Sequence, residues 1–376
     1  MRLTRREFNR LSTLGGIALM DESVKTDRIL HPQSAAAADN GLPGISTEPA
    51  AETQEAPETQ EKDAVRVAIV KTANRGEGVA RAVALLGEMD FSGKDVYLKC
   101  SYNSPDPFPA TTHPDALGAT VRMLRGKGAD GVTLVERSGM GRTRDVLEKL
   151  HVLTALEALD VSFRPLDELA AGEWLHFEPA GSHWQKGIAF PRFLTGDKCF
   201  VQLCNLKTHR FGGGFSASLK NSIGLIAKYA SATESGSAEK TGKAPNRGWN
   251  YMKDLHSSPD QEKMIAEANQ VYAPGLIVMD AVEVFVAGGP ERGETAAPEI
   301  IAASRDRVAL DAVGFAILQY AGARIGGADH IFEQAQIKRA AELNIGVDSP
   351  EKISIVSDDN TGELLAKRLE GMIAKH

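Results

Sequence analysis

One segment of the chain collects side chains that could hold an anion and move a proton. Lys207 and His209 lie two positions apart, and Gly212, Gly213 and Gly214 follow them. Consecutive glycines let backbone N–H groups converge on an anion, and a helix beginning after them adds positive potential at its N-terminus. A histidine with an ordinary pKa of about 6.5 can exchange a proton near neutral pH. We therefore expect this segment to bind phosphate or a carboxylate, with His209 and Lys207 as catalytic candidates.

The residues after the glycines extend this candidate site. Residues 205–254 contain eight lysines and arginines against three acids, a net charge of +5 in a chain whose overall charge is −7. This concentration of charge favours an anionic partner. The further ligand-binding candidates here are Ser218, Lys220 and Asn221. The segment matches neither the G-x-x-x-x-G-K-[ST] loop nor the G-x-G-x-x-G fingerprint, and the alternative is a mobile glycine loop beside a solvated basic surface.

Two other strand ends offer polar side chains. A predicted strand at 95–99 ends on Lys99, with Asn103 shortly after it, and a predicted strand at 275–280 ends on Asp280. Ligands of open α/β sheets bind beyond the carboxyl ends of the strands. We therefore add Lys99 and Asn103 as ligand-binding candidates and Asp280 as a third catalytic candidate, opposite the cations.

Some of these residues could also bind a metal ion. His209, His256 and Asp280 offer the nitrogen and oxygen ligands that divalent metals take, although no H-E-x-x-H spacing is present. The alternative is that each histidine hydrogen-bonds a backbone carbonyl or an anionic ligand. Cys100, Cys199 and Cys204 show no C-x-x-C spacing, so an iron–sulfur cluster is not expected. The sequence does not identify a cofactor, and a divalent metal is one candidate.

Overall composition excludes two classes of partner. Lysine and arginine total 43 against 50 acids, so there is no basic excess to neutralise a nucleic-acid backbone. No apolar run approaches the roughly 20 residues of a membrane-spanning helix, so no stable membrane span is expected.

The elements that must position these residues alternate along the chain from residue 65. Short β-branched runs predict strands at 65–70, 95–99, 130–137, 160–165, 198–206, 275–280, 299–304 and 352–357. Helical periodicity predicts helices that include 145–158, 216–228, 260–272, 306–321 and 361–374. Parallel strands need helical crossovers, so this alternation predicts an α/β fold with a mainly parallel, doubly wound sheet and helices on both faces.

Two segments interrupt the alternation within the 65–376 domain. Residues 166–197 are irregular and are interpreted as an insertion or a small subdomain. Residues 229–259 are polar and rich in serine, glycine, lysine and asparagine, which is typical of a lid-like binding loop.

The N-terminal residues predict export. Thr4-Arg5-Arg6-Glu7-Phe8 resembles the twin-arginine motif, and residues 1–38 are interpreted as a signal read by the twin-arginine translocase. Charged residues at 21–28 separate the weakly apolar stretch from the alanines that could be cleaved, which departs from the usual pattern. Residues 39–64 predict a disordered linker, because they lack apolar periodicity. The expected localisation is periplasmic or otherwise exported, and the alternative is a cytoplasmic protein with a basic N-terminus.

Several motifs together resemble domain-of-unknown-function family 362. They are Lys99, Leu206-Lys207-Thr208-His209, Ser218-x-Lys220-Asn221 followed by Gly224, His256, Asp280, and the run from Ser304 to Asp311. The resemblance spans about 65–321 and implies an α/β fold in a prokaryotic protein, often exported by the twin-arginine route, whose activity is not settled. Some members carry cysteine-rich ferredoxin-like segments, which are missing here. The usual proline after the first lysine is replaced by Cys100.

Two hypotheses from different functional classes follow. The first is an exported enzyme that acts on a small anion held by Lys99, Lys207, His209 and Lys220. The second is a non-catalytic periplasmic binding or accessory protein, which uses the same pocket to hold an anion or metal complex for a redox partner or an iron–sulfur system. Product formation would identify the enzyme, whereas an unchanged retained ligand would identify the binder.

Overall fold

The computed structural model describes residues 64–179, 181–229, 248–326 and 330–374. The elements of the first half are, in chain order, β1 (Val65–Lys71), α1 (Arg75–Leu85), β2 (Asp95–Lys99), α2 (Pro114–Gly126), β3 (Gly131–Glu136), α3 (Thr143–Lys149), α4 (Val152–Ala158), β4 (Ser162–Pro165), β5 (Trp174–Phe177), β6 (Ile188–Pro191), β7 (Cys199–Asn205), β8 (Lys207–Thr208) and β9 (Phe215–Ser216). Those of the second half are α5 (Ser218–Asn221), α6 (Tyr251–Ser257), α7 (Gln261–Ala268), β10 (Leu276–Ala281), β11 (Val284–Gly288), β12 (Gly293–Ala296), β13 (Ile300–Ser304), α8 (Arg307–Tyr320), α9 (Ala335–Glu342), β14 (Ile353–Val356) and α10 (Asn360–Ile373).

The central sheet contains all eight strands that the sequence predicts. Its order is β14-β1-β13-β10-β7-β2-β3-β4. Every neighbouring pair is parallel except the two pairs made by β13, which runs antiparallel to β1 and to β10. The predicted α/β fold with a mainly parallel sheet is thus confirmed, with one reversed strand inside it.

Helices cover both faces of this sheet. Successive side chains of a strand point to opposite faces, and β1 shows the consequence. Val67 and Ile69 belong to one hydrophobic core, which includes residues of α8 and α10. Ala68 and Val70 belong to a second core, which includes residues of α1 and α2. Residues 67–70 of β1 are therefore buried on both faces and form a continuous apolar run, as expected for a strand of a doubly wound sheet.

Three of the five helices predicted above are shorter or more divided than expected. The helix predicted at 145–158 is two helices, α3 and α4, because His151 between them adopts a left-handed conformation with φ of 57°. The helix predicted at 216–228 is the four-residue α5 followed by a 3₁₀ turn at Ser222–Leu225. The helix predicted at 260–272 is α7 followed by a 3₁₀ turn at Asn269–Val271. The helices predicted at 306–321 and 361–374 match α8 and α10.

The two interrupting segments contain more regular structure than their sequences indicate. The hairpin β5–β6 lies within 166–197, and its buried Trp174 and Phe190 join the core that lines one face of the sheet. In the segment 229–259, residues 230–247 lie outside the described part. The helix α6 lies within the rest, and the Asn250 side chain caps it by accepting a hydrogen bond from the backbone N–H of Lys253 at 2.9 Å.

The predicted export signal at 1–38 and the predicted linker at 39–64 lie outside the described residues, except for Ala64. Within the described ranges, no helix has the length and apolar character needed to cross a membrane.

Candidate functional site

A cavity of about 410 Å³ opens at the carboxyl ends of three adjacent strands, β7, β2 and β3. Lys99 is the last residue of β2, Glu136 is the last residue of β3, and Lys207 lies just beyond the end of β7. All three line the cavity. This is the edge of the sheet at which an open α/β fold places its ligand.

The cavity gathers most of the candidates that the sequence suggested. Those that line it are Lys99, Asn103, Lys207, His209, Lys220, Asn221 and His256. The candidates that do not line it are Gly212, Gly213, Gly214, Ser218 and Asp280.

Lys207 is a buried cation. Only 3% of its surface is exposed, and its Nζ donates to the backbone carbonyl of Ala110. Burial, together with the positive charge of Lys99, lowers the pKa of Lys207 to about 8. An anion placed beside such a buried ammonium would stabilise its charged form and raise its pKa.

Lys220 is the second cation. It lies on α5, and its Nζ donates to the carbonyl oxygens of Phe211 at 2.9 Å and Gly212 at 3.3 Å. Burial of the ammonium and the charge of Lys207 lower the pKa of Lys220 to about 7. Neither lysine forms an ion pair with a carboxylate in the described part of the chain.

The three consecutive glycines form a turn. They adopt φ values of 59°, 81° and 72°, which favour glycine, and they close the hairpin in which β8 pairs with β9. Their carbonyl oxygens accept hydrogen bonds from Lys220, Gln334 and the backbone N–H of His209. The glycines therefore position Lys220 and His209, whereas the sequence suggested that they contact the anion themselves.

The two histidines have opposite tautomers. Nδ1 of His209 accepts a hydrogen bond from the backbone N–H of Phe211 at 3.1 Å, so the neutral ring carries its proton on Nε2. Nδ1 of His256 lies 2.6 Å from the carbonyl oxygen of Met252, which can only accept, so Nε2 of this ring holds a lone pair. Burial and the nearby Lys220 lower the pKa of both rings, which are therefore neutral near pH 7.

Lys99 belongs to a buried ion pair. Its Nζ lies 2.9 Å from Oε1 of Glu136 and donates to Oδ1 of Asn221 at 3.0 Å. The same pair explains Gly224, because a Cβ at that position would lie 2.7 Å from the Glu136 carboxylate and from the Lys99 chain. Lys99 and Asn221 thus form part of the wall, and the Lys99 charge is already balanced.

Asp280 is held away from the cavity. Its Oδ2 accepts from Nε of Arg75 at 2.7 Å, and its Oδ1 accepts from the backbone N–H of Val282 at 3.0 Å. Burial raises the pKa of Asp280 while Arg75 opposes that change. The structure therefore does not place Asp280 opposite the cations as the sequence suggested, because Arg75 at the start of α1 binds its carboxylate.

The polar groups of Ser218 are bound by other residues of the protein and do not face the cavity. Its Oγ donates to Oε1 of Gln202 at 2.6 Å, and its backbone N–H donates to Oδ1 of Asp311 at 2.7 Å. Asp311 also accepts from the backbone N–H of Leu219 at 3.1 Å, and burial raises the pKa of this carboxyl to about 7. These contacts hold the start of α5, and through it they position Lys220.

The structure does not bring the three candidate metal ligands together. Among the described residues, no group of three or more histidine, cysteine, aspartate or glutamate side chains could hold a metal ion. His256 uses Nδ1 on a backbone carbonyl, as the alternative interpretation of the histidines expected. Cys100, Cys199 and Cys204 are free thiols, and burial raises the pKa of each.

Sequence reasoning missed several lining residues. Arg137 is buried, and its guanidinium donates to the carbonyl oxygens of Ile226 at 2.6 Å and Ile223 at 2.7 Å. Tyr102 is also buried, and its hydroxyl has no hydrogen-bond partner among the described residues. The adjacent Glu136 and Arg137 at a strand end were a usable signal, because the rule that selected Lys99 applies to them equally.

The cavity carries a net positive charge. Its basic lining residues are Lys99, Arg137, Lys207, Arg210 and Lys220, and its acidic ones are Glu136 and Glu291. With every lysine protonated the net charge is +3. The two carboxylates bind Lys99 and Arg210, so among the described residues Arg137, Lys207 and Lys220 are left without an ion-pair partner. The guanidinium of Arg137 is occupied by the backbone carbonyls of Ile223 and Ile226, which leaves the two lysines as the cations most available to a ligand.

Comparison with known proteins identifies a family for this chain. The lactate racemase apoprotein from Thermoanaerobacterium thermosaccharolyticum is a solved structure with 15% identity and a TM-score of 0.32; the match covers 61% of this chain and 52% of that one, so the chain spans about half the length of that protein. A similarity of this extent does not indicate a shared activity. No curated protein matches the chain. The sequence pattern of the family described as Domain of unknown function (DUF362) matches residues 96–316, more than half of the chain and the part that builds the cavity. The chain therefore belongs to the DUF362 family.

Proposed function

We propose that the protein binds a small anion, a phosphate or a carboxylate, in this cavity. The observation that carries the proposal is the pair Lys207 and Lys220, two cations in one cavity with no ion-pair partner among the described residues. Glu262 and Glu291 act on them only at longer range. Two like charges in a poorly solvated site repel each other, and an anion between them would remove that cost.

Hydrogen bonding supports the same proposal. An ammonium group has three N–H donors. The described residues accept one bond from Lys207 and two from Lys220, which leaves donors on both groups. Charge-assisted hydrogen bonds to phosphate or carboxylate oxygens are stronger than those to neutral acceptors. An anion is the ligand that would accept hydrogen bonds from the remaining donors of both lysines.

We propose further that the two histidines assist proton abstraction from the bound ligand. Nε2 of His256 can accept a proton from the ligand, whereas the neutral ring of His209 can donate a hydrogen bond from Nε2 to negative charge that develops on it. Phe211 contacts both imidazoles edge-on, with centroid distances of 6.1 Å and 6.3 Å. A base beside a hydrogen-bond donor in one cavity suits proton abstraction with stabilisation of the resulting anion. The competing proposal is a binding or accessory protein that holds the anion unchanged.

Anion binding is tested by thermal unfolding of the full chain with and without phosphate, sulfate or acetate. We expect each effective anion to raise the melting temperature, because a ligand that binds only the folded state stabilises it. The variant Lys207→Met keeps the aliphatic stem and removes the charge, so it should lose most of this shift. Lys367→Met, at an exposed position on α10, is the matched control and should retain it. Equal shifts in both variants would exclude Lys207 from the site.

Catalysis is tested by mass spectrometry of the ligand retained by freshly purified protein. After prolonged incubation, an enzyme should yield a product, and His209→Gln should slow its formation more than it weakens binding. A ligand that stays unchanged in the wild type favours the binding protein.

We also propose export by the twin-arginine route. The motif at Arg5 and Arg6 supports it, as does the frequent export implied for this family. Replacement of both arginines by lysine should abolish accumulation outside the cytoplasm, and an unchanged distribution between cell fractions would contradict export by this route.

A further inference from the structure

One side of the cavity is apolar. Its wall consists of Met140, Phe211, Ile223, Met252 and Leu255. Met140 and Phe211 are 51% and 49% exposed, although large apolar side chains are normally covered in a folded protein. In the described part of the chain only one other large hydrophobic residue, Leu364, is exposed to this degree. The exposed apolar surface is thus concentrated at the cavity.

The apolar wall is continuous with the cationic end. The backbone carbonyl of Phe211 accepts from Lys220, and its backbone N–H donates to His209. Sδ of Met252 lies 3.3 Å from a guanidinium nitrogen of Arg137. These contacts place apolar side chains directly beside the charged groups, so a ligand held by the lysines would extend along apolar side chains.

We infer that the ligand is an organic anion with an apolar body, an acyl or aryl carboxylate or a phosphate monoester, and not a bare inorganic ion. This inference rests on the proposed function and specifies its substrate class. The cavity of about 410 Å³ lies in the size range of sites for small organic molecules. A phosphate or acetate ion would leave most of that volume to water and would leave Met140 and Phe211 uncovered.

A second copy of the chain is the competing occupant of the exposed apolar surface. The small ligand is favoured because Ile223, Met252 and Leu255 continue the apolar surface inward from the rim, and Met252 and Leu255 are buried. A partner protein would reach the rim residues and would not fill the interior.

The test is a chain-length series measured by calorimetry on the full chain at pH 6.5, with acetate, butyrate, hexanoate and octanoate. Each added methylene should raise affinity about fourfold, or about 16-fold for each two-carbon step, until the cavity is full. Phe211→Ala should reduce the gain in affinity for each added methylene. Leu364 is an exposed apolar residue elsewhere, and Leu364→Ala should leave that gain unchanged. Lys207→Met should weaken every member. If alkyl phosphates bind more tightly than inorganic phosphate, and more tightly as the alkyl chain lengthens, the inference is supported with phosphate as the head group.

The contrary results separate the two proposals. If acetate and hexanoate bind equally well and both depend on Lys207, the apolar body is refuted while the anion site stands. If no anion binds, or if Lys207→Met changes nothing, the proposed function itself fails. If Phe211→Ala alters the oligomeric state in size-exclusion chromatography and leaves the series unchanged, the apolar surface belongs to a second copy and the inference is overturned.

Discussion

Lys207 and Lys220 connect the chemistry of the cavity to the stability of the fold. Burial lowers their pKa values to about 8 and about 7, whereas the ordinary value is 10.5. At any pH between the lowered pKa of each lysine and its ordinary pKa, the unfolded chain binds more protons than the folded protein. The contribution of these two lysines to the free energy of unfolding therefore rises as pH rises from about 7 to about 10, because the folded state no longer has to keep two poorly hydrated charges.

The increase in stability with pH predicts the behaviour of Lys207→Met. The variant lacks one group of depressed pKa, so between pH 8 and 10 its stability should rise less steeply than that of the wild type, by up to about 1.4 kcal/mol per pH unit. Urea unfolding at three pH values across this window measures the difference. Lys367→Met should keep the wild-type slope, and a wild-type slope in Lys207→Met would show that this lysine keeps an ordinary pKa.

The Lys99–Glu136 pair gives a second prediction at the same scale. Both side chains are 2% exposed, so Lys99→Met leaves a buried carboxylate without its counter-charge. We expect a loss of about 3–5 kcal/mol in the free energy of unfolding. The exposed pair Lys71–Glu299 is the control, and Lys71→Met should cost no more than about 1 kcal/mol. Comparable losses in the two variants would show that Lys99 is not buried with its partner.

At the scale of elements, the four-residue α5 is too short to be stable alone and depends on tertiary contacts. Asp311 on α8 supplies them by accepting from the first two N–H groups of α5. Because α5 carries Lys220, we predict that Asp311→Asn will both destabilise the fold, by about 1–3 kcal/mol, and weaken anion binding.

The control for this prediction is another aspartate that begins a helix. Asp306 caps α8 by accepting from the backbone N–H groups of Val308 at 2.7 Å and Ala309 at 2.9 Å. Asp306→Asn should also lower stability, yet it should leave anion affinity unchanged. Calorimetric titration with phosphate distinguishes the two variants, and equal affinities would mean that Asp311 has no role in positioning Lys220.

For the whole molecule, we predict that residues 1–63 can be deleted without loss of stability. The eight-stranded sheet begins at Val65, and residues 39–63 lack the apolar periodicity needed to bury surface. The melting temperature of the shortened protein should equal that of the full chain in differential scanning calorimetry. A fall of several degrees would show that the N-terminal residues pack on the domain.

The strands of the sheet are predictable from the sequence for a clear reason. The interior strands are short runs rich in apolar residues, and burial on both faces of a parallel sheet requires that composition. The edge strands β4 and β14 are less buried. The rule that ligands bind beyond strand ends then selects Lys99, Asn103, Lys207 and His209, which line the cavity, and also Asp280, which does not. Helix lengths were less predictable, because the left-handed His151 and the short α5 depend on local geometry and tertiary contacts that periodicity does not record.

Only the tertiary structure decided which charged groups are available to a ligand. Asp280 is bound by Arg75, which lies 205 positions away, and Lys99 is bound by Glu136, which lies 37 positions away. Lys207 is also a lysine near a strand end, just beyond β7, yet it has no carboxylate partner in the part of the chain that the structure describes. The free energy of a charge depends on burial and on its neighbours in space, and those neighbours come from distant parts of the chain. Residue type and spacing can therefore nominate a cation for the site, whereas the fold determines whether its charge is already paired.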